Sequence, residues 1–138
     1  MRFMIIRKAD AETEAGAKAG EELIEAMARY HEELLNAGVL RGGDGLHPSA
    51  RGARVTFSDG KPTVTDGPFT ETKELVAGFT LIEVGSRDEA IEWMKRWPPL
   101  DGHGNVQLEL RQLYELEELG EGEGIEHHAR LREQLAAR

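Results

Sequence analysis

Apolar residues that recur every three or four positions in the first third of the chain constrain its fold more than any other feature. Placed at 3.6 residues per turn they form one stripe, and glutamates occupy much of the remaining circumference. Gly38 follows where a left-handed residue commonly ends a helix. The pattern predicts an amphipathic helix from about Glu14 to Ala37 that packs on another layer. The stripe consists of Leu23, Met27, Tyr30 and Leu34.

Short apolar or alternating segments predict strands on both sides of this helix. Residues 3–6 are all apolar, as in a buried strand. Val55 and Phe57 alternate with polar residues, and the turn Asp59-Gly60 predicts a β-hairpin that returns through residues 62–65. Two further strands are predicted at 75–84 and 106–110, whereas the glycine-rich residues 41–52 are predicted to form a loop.

A second helix is predicted between the last two strands. Ser86 and Glu89 have the spacing of a capping box, and Pro98-Pro99 would end the helix. The order strand, helix, three strands, helix, strand predicts an α+β, ferredoxin-like sandwich, with two helices on one face of a mainly antiparallel sheet. Because the other face has no helices to cover it, we expect a homodimer.

The 138 residues correspond to one domain and a short extension. We place the domain at residues 1–118, and an acidic linker plus a C-terminal helix at 119–138. Residues 115–124 contain five glutamates and three glycines, and Leu131 and Leu135 are spaced for one helical face.

Composition excludes several classes of protein and of site. The chain has no cysteine, so it has neither disulfides nor thiolate metal ligands. A formal charge of −9 without a basic stripe argues against nucleic-acid binding and against anionic membranes. The apolar run at the N-terminus is too short for a signal peptide or a membrane span. We therefore predict a soluble, cytoplasmic protein.

One segment carries a family resemblance. Residues 66–74 read Asp-Gly-Pro-Phe-Thr-Glu-Thr-Lys-Glu, which resembles the DGPFAETKE signature of the DGPF branch of the YCII-related family, with Thr70 in place of alanine. Residues 37–46, 78–84 and 88–93 are also similar to the family, and the resemblance covers about residues 1–120.

The resemblance implies a dimeric α+β barrel in which two ferredoxin-like sheets pack face to face. Three functions stay open. The barrel favours a protein or enzyme that binds a small polar molecule, the resemblance allows an accessory protein that contacts an extracytoplasmic-function sigma factor, and the third is a structural role without a ligand. The YciI-type relatives use a His and an Asp as an acid–base pair, at positions that align here with Met27 and Trp97. Both residues are apolar, so that pair cannot be carried over.

Candidate ligand-binding residues lie in the signature, in the glycine-rich loop and on the first helix. Asp66 can either accept backbone hydrogen bonds within a turn or point at a ligand. Glu71 and Lys73 can either pair with each other in solvent or bind a polar substrate. No histidine pair has zinc-site spacing, and neither a phosphate loop nor a dinucleotide motif is present, so no metal or cofactor is predicted. The candidates are His31, Asp44, His47, Asp66, Phe69, Glu71 and Lys73.

Overall fold

A computed structural model describes all residues, 1–138, and contains six strands and four α-helices. Short 3-10 turns at Ser49–Arg51, Thr72–Glu74, Asp101–Gly104 and Leu116–Leu119 connect some of them. In chain order the elements are β1 (Arg2–Lys8), α1 (Ala11–Glu14), α2 (Glu21–Asn36), β2 (Leu40–Gly45), β3 (Ala53–Ser58), β4 (Lys61–Asp66), β5 (Val76–Glu83), α3 (Arg87–Lys95), β6 (Leu108–Gln112) and α4 (Glu123–Ala136).

Four strands form one antiparallel sheet in the order β2-β5-β1-β6, and α2 and α3 pack on one of its faces. Each helix connects two strands that flank a third one, which is the split β-α-β arrangement of a ferredoxin-like sandwich. The predicted fold class is therefore confirmed.

The core lies between this sheet and the two helices. Alternate residues of β1 are buried, since successive side chains of a strand point to opposite faces. Phe3 and Ile5 pack with Ile82 of β5 and with Leu34 of α2 in one cluster. Leu34 is fully buried, and burying a side chain of this size stabilises the fold by about 2 kcal/mol.

The opposite face of the sheet carries no helix. Met4 lies directly across from Leu81, and Ile6 from Phe79, so the four side chains share this face. Each is only partly buried. We call Met4, Ile6, Phe79 and Leu81 the open sheet face.

The glycine-rich segment is a strand and not the predicted loop. Residues Leu40–Gly45 form β2 at the edge of the sheet, paired with β5. A Cβ on Gly43 would lie 2.6 Å from the carbonyl oxygen of Phe79, so the close approach of the two backbones requires glycine there. The predicted β-hairpin forms, but it lies outside the four-stranded sheet as a separate pair, β3-β4.

The first helix is shorter than predicted. Residues Ala11–Glu14 form a separate turn of helix capped by Asp10, and the long helix begins at Glu21. Its end agrees with the prediction, because Gly38 adopts a φ of +77° and directs the chain into β2. Ser86 caps α3 as expected, accepting a hydrogen bond from the Glu89 N–H at 3.1 Å.

Candidate functional site

A cavity of about 260 Å³ lies between the helices and the edge of the sheet. Strands β2 and β5 contribute its glycine-rich floor, α2 one wall, and the segment after α3 another. Met27 of α2 and Trp97 supply much of its apolar surface. Its polar groups come from four distant parts of the chain: Arg7, His31, Thr80 and Asp101.

A buried ion pair forms one side of the cavity. Arg7 Nε donates to Asp101 Oδ2 at 3.0 Å, and Arg7 Nη2 donates to Asp101 Oδ1 at 2.8 Å. This two-pronged geometry is the strongest that a guanidinium and a carboxylate form. The two residues are only 7% and 8% exposed, so each charge depends on the other for compensation.

Two further groups complete this ion pair. Arg7 Nη1 donates to Asp10 Oδ2 at 3.0 Å, and the indole N–H of Trp97 donates to Asp101 Oδ2 at 2.8 Å. Burial alone would raise the pKa of Asp101, but the hydrogen bonds from Arg7 and Trp97 outweigh it and hold that pKa below its ordinary value. The pKa of Asp10 is also lowered, chiefly by the hydrogen bond that it accepts from the Thr13 backbone N–H as the cap of α1. The carboxylates therefore remain ionised around Arg7.

His31 lies on the cavity wall that α2 provides. Its Nε2 is 3.3 Å from the hydroxyl oxygen of Thr80, on the buried side of β5. Burial lowers the pKa of His31, because the charged imidazolium is poorly solvated there. His31 is thus neutral at pH 7 and can either donate or accept a proton.

Tyr30 fixes the helix that carries His31. Its hydroxyl donates to the backbone carbonyl of Trp93 at 2.7 Å, and its ring packs edge-on against Trp97 at 5.3 Å between centroids. Burial raises the pKa of Tyr30 to about 12. Because this phenol stays protonated, it links α2 to α3 throughout the physiological pH range.

A second recess of about 300 Å³ adjoins the first near α1 and the start of α2. Arg7, Thr13 and Asp101 border both recesses, so the ion pair lies between them. The second recess has the larger volume, but the first contains His31 and Thr80 in addition to the ion pair. We therefore take the first, the His31 cavity, as the candidate site.

Two of the seven residues predicted from sequence border the His31 cavity. His31 does so from α2, and Asp44 does so from the edge strand β2, where it is exposed. The structure thus brings together residues of the first helix and of the glycine-rich segment.

The other five predicted residues lie away from this cavity. His47 is exposed and contacts Arg51 at 3.2 Å, and Asp66 is exposed at the end of β4. Phe69 lies under the guanidinium of Arg54, at 3.8 Å from the ring centroid. Glu71 and Lys73 are exposed and do not pair with each other. Their role in ligand binding stays a prediction.

We call residues 66–69 the signature turn, and this turn packs on the segment that follows β2. The Phe69 N–H donates to Ser49 Oγ at 3.0 Å, and Ser49 Oγ in turn donates to a carboxylate oxygen of Glu14. A Cβ on Gly67 would lie 1.7 Å from the Ser49 carbonyl oxygen, so no other residue fits in this backbone contact. These contacts give Gly67 and Phe69 a structural role in the packing of the turn.

Sequence reasoning missed Arg7, Thr80 and Asp101. A signal existed for Arg7, because period-two alternation from Phe3 and Ile5 places it on the buried face of β1. A buried arginine requires a carboxylate partner. The sequence offers 26 acidic residues, and only the tertiary contact identifies Asp101.

No three His, Asp or Glu side chains converge in a geometry that could hold a metal ion. None of the helices has the length and apolar character that crossing a bilayer requires.

Comparison with known proteins identifies a family. The chain is 35% identical over 75 residues to an uncharacterized protein of Rhizobium meliloti (strain 1021), an alignment that covers 54% of this chain and 60% of that protein. Among solved structures, 5-chloro-2-hydroxyhydroquinone dehydrochlorinase from Burkholderia phenoliruptrix AC1100, in complex with 2,5-dihydroxybenzoquinone, shows 18% identity and a TM-score of 0.47. That comparison covers 83% of this chain and 94% of that one. The family model of the YCII-related domain matches residues 1–108, and the chain belongs to this family.

Proposed function

We propose that the His31 cavity binds a small, uncharged polar molecule and that His31 accepts a proton from it. The observation that carries this proposal is a neutral, half-buried histidine, held near Thr80, in the same cavity as the buried Arg7–Asp101 pair. A pocket with apolar walls and a few convergent polar groups is the usual form of a small-molecule site.

The charges around the cavity favour an uncharged ligand over an anion. Arg7 is the obvious anion-binding group, but Asp101 and Asp10 already compensate its charge. Two carboxylates beside one guanidinium leave a surplus of one negative charge. A carboxylate or phosphate would be repelled by this surplus. Hydroxyl or amide groups would instead pair with the remaining lone pairs of Asp101 and with His31.

His31 fits the role of a general base. A base must be unprotonated at the working pH, and burial keeps the imidazole of His31 neutral there. Thr80 lies at hydrogen-bond distance from one ring nitrogen, so it can orient the ring while the other nitrogen faces a substrate. The chemistry that this arrangement supports is proton abstraction from an acidic O–H or C–H group of a bound molecule.

A thermal-shift screen tests the binding proposal. Panels of polyols, phenols and amides would be compared with carboxylates and phosphates of similar size. We expect at least one uncharged class to raise the melting temperature in a concentration-dependent way, because a ligand that binds only the folded state stabilises it. Stabilisation by anions alone, or by none of the panels at millimolar concentration, would contradict the proposal.

Matched variants locate the binding. Thr80→Val and His31→Asn should weaken binding of the compound that the screen finds by about tenfold, the cost of about one hydrogen bond. His47→Asn is the control, since His47 is exposed and lies away from the cavity. Equal effects of the two histidine variants would exclude the His31 cavity as the site.

We further propose that the protein is a homodimer in which two open sheet faces pack together. Four partly buried apolar side chains on a helix-free face support this. A monomer mass in sedimentation equilibrium at tens of micromolar would exclude it. Membership of the DGPF branch and association with a sigma factor are further predictions from the signature, and co-purification from the source cell would test the second.

A further inference from the structure

The β3-β4 hairpin projects from the domain, and the rest of the chain covers neither of its faces. Every residue from 53 to 66 is exposed, and the two strands pair only with each other. Val55 lies directly across from Val64, and Phe57 from Pro62, so the four share one face. Val55, Phe57 and Val64 remain 54%, 69% and 66% exposed. We call residues 53–66 the arm.

An arm of this kind needs a surface to pack on. A two-stranded hairpin alone in water is marginally stable, because it buries too little apolar area to offset the entropy of ordering its strands. The arm nevertheless forms six consecutive pairs in unbroken register. Its apolar face is therefore built for contact with a partner outside this chain.

The base of the arm is held in a fixed direction. The Gly67 N–H donates to the Gly52 carbonyl oxygen at 3.0 Å and closes the two ends of the arm. Next to it, Arg54 stacks on the Phe69 ring, and the Phe69 N–H is bound by Ser49. The signature turn thus holds the base of the arm in place, and the arm presents its apolar face in a fixed direction.

Charge is compatible with a second copy of this chain as the partner. The arm carries two basic and two acidic side chains and therefore has no net charge, while the whole chain carries −9. The rest of the molecule therefore carries the full −9. An arm without net charge meets no net repulsion from the acidic body of a second copy. The charged residues of the arm are Arg54, Asp59, Lys61 and Asp66.

Buried area points to the same partner. A stable interface buries about 800 Å² per partner. The open sheet face consists of four side chains that are already partly buried, so it falls short of this area on its own. In a two-fold dimer each copy offers the same surfaces, and two arms would contribute to one interface.

We propose that the arm of each subunit packs its Val55–Phe57–Val64 face onto the other subunit of a homodimer. The inference rests on the sheet-to-sheet dimer proposed above and extends it: the signature turn positions a dimerisation arm, and the interface includes residues far from the sheet. The arm contributes nothing to the core of its own chain, so its apolar face can be changed without unfolding the subunit.

Sedimentation equilibrium on two matched double variants tests the arm. Val55→Lys/Val64→Lys places two charges opposite each other on the apolar face, and Thr56→Lys/Thr63→Lys places the same two charges opposite each other on the polar face. We expect the first variant to weaken dimerisation by about tenfold or more, because buried apolar anchors dominate interface energetics. The second should stay within about twofold of the unchanged protein.

Single thiols provide a second readout that does not depend on lysine variants. Because the chain has no cysteine, Val64→Cys and Thr63→Cys each introduce one thiol on opposite faces of the arm. If the partner subunit covers the arm, the thiol of Val64→Cys reacts about tenfold more slowly with a maleimide once the protein concentration exceeds the dissociation constant of the dimer. The rate for Thr63→Cys stays constant.

The outcomes separate the two proposals. If both lysine variants dimerise with the same affinity and Val64→Cys is equally reactive at all concentrations, the proposal for the arm is wrong. The proposal of a sheet-to-sheet dimer would then still stand. A monomer at all concentrations overturns both. Preferential loss of the dimer in Val55→Lys/Val64→Lys, with protection of Val64→Cys, supports the arm.

Discussion

Arg7 and Asp101 are 94 positions apart in sequence, yet two hydrogen bonds of 3.0 and 2.8 Å join them beneath the helices. This contact ties β1, the first strand, to the segment that leads into β6, the last strand. It also places charged groups beside the His31 cavity. The stability of the domain and the polarity of its cavity therefore depend on the same pair.

The first prediction concerns this pair. Asp101→Asn removes the carboxylate and leaves Arg7 buried with only Asp10 as a charged partner, so we expect the free energy of unfolding to fall by about 3 kcal/mol. Urea denaturation followed by circular dichroism would measure it. Glu25→Gln removes an exposed i,i+4 partner of Arg29 and is the control, for which no resolvable change is expected. Similar stabilities for the two variants would show that the pair contributes nothing.

Acid should destabilise the protein through the same carboxylates. The pKa values of Asp101 and Asp10 are lower in the folded state than in the unfolded chain. Their contribution is therefore complete above the unfolded-state pKa of about 3.9 and is lost as the pH falls through the folded-state values. We expect unfolding free energy, measured in urea at a series of pH values, to decline below about pH 4. The decline should be shallower for Asp101→Asn, and an unchanged slope would contradict this account.

His31 should act in a separate pH window. Burial lowers its folded-state pKa, so the unfolded chain takes up a proton first as the pH falls below about 6.5. Stability should therefore decrease as the pH falls from about 6.5, and His31→Asn should remove that part of the decrease. Proton NMR of the His31 ring measures its pKa directly. A value at or above about 6.5 would contradict the effect of burial and the expected loss of stability.

Tyr30 offers a test of helix-to-helix coupling. Tyr30→Phe deletes the hydroxyl that donates to the Trp93 carbonyl and leaves that acceptor without this partner, at a cost of about 1–2 kcal/mol. Tyr114→Phe is the control, because Tyr114 is 68% exposed. Chemical denaturation of the two variants gives the comparison, and equal losses would show that the bond is dispensable.

Alanine substitutions at two glycines that face the Ser49 carbonyl test the packing of the signature turn. Gly67→Ala would bring a Cβ to within 1.7 Å of the Ser49 carbonyl, so the turn must shift and we expect a loss of about 2 kcal/mol or more. In Gly52→Ala the corresponding contact with the same carbonyl is 3.5 Å, an ordinary van der Waals distance, and the loss should be smaller. Hydrogen exchange of residues 53–66 should become faster in Gly67→Ala but not in Gly52→Ala, because only the first substitution loosens the base of the arm.

The elements that periodicity marks clearly could be predicted from the sequence. The stripe ending at Leu34 gives α2, alternation at Val55 and Phe57 gives a hairpin, and the capping residue Ser86 gives the start of α3. These signals are local, because each arises from residues within a few turns or pairs of one another. The fold class followed from their order.

The sequence also determined the character of the surface and the features that do not depend on folding. A chain with no cysteine and a charge of −9 cannot form disulfides and is acidic whatever its topology. His31, proposed from its place beside the apolar stripe of the first helix, borders the cavity because the face of a helix is set by local geometry. Asp44 was proposed as part of a loop, and it reaches the rim of the cavity through a strand that the sequence did not predict.

Tertiary structure alone decided the rest. Glycines at 42 and 43 are typical of a loop in sequence, but they belong to an edge strand. At Gly43 only the absence of a Cβ atom lets β2 approach the Phe79 backbone. Arg7 found its partner among 26 acidic residues only when β1 and the segment after α3 were packed together. Long-range contacts of this kind depend on the positions of whole elements, which no local pattern of residues encodes.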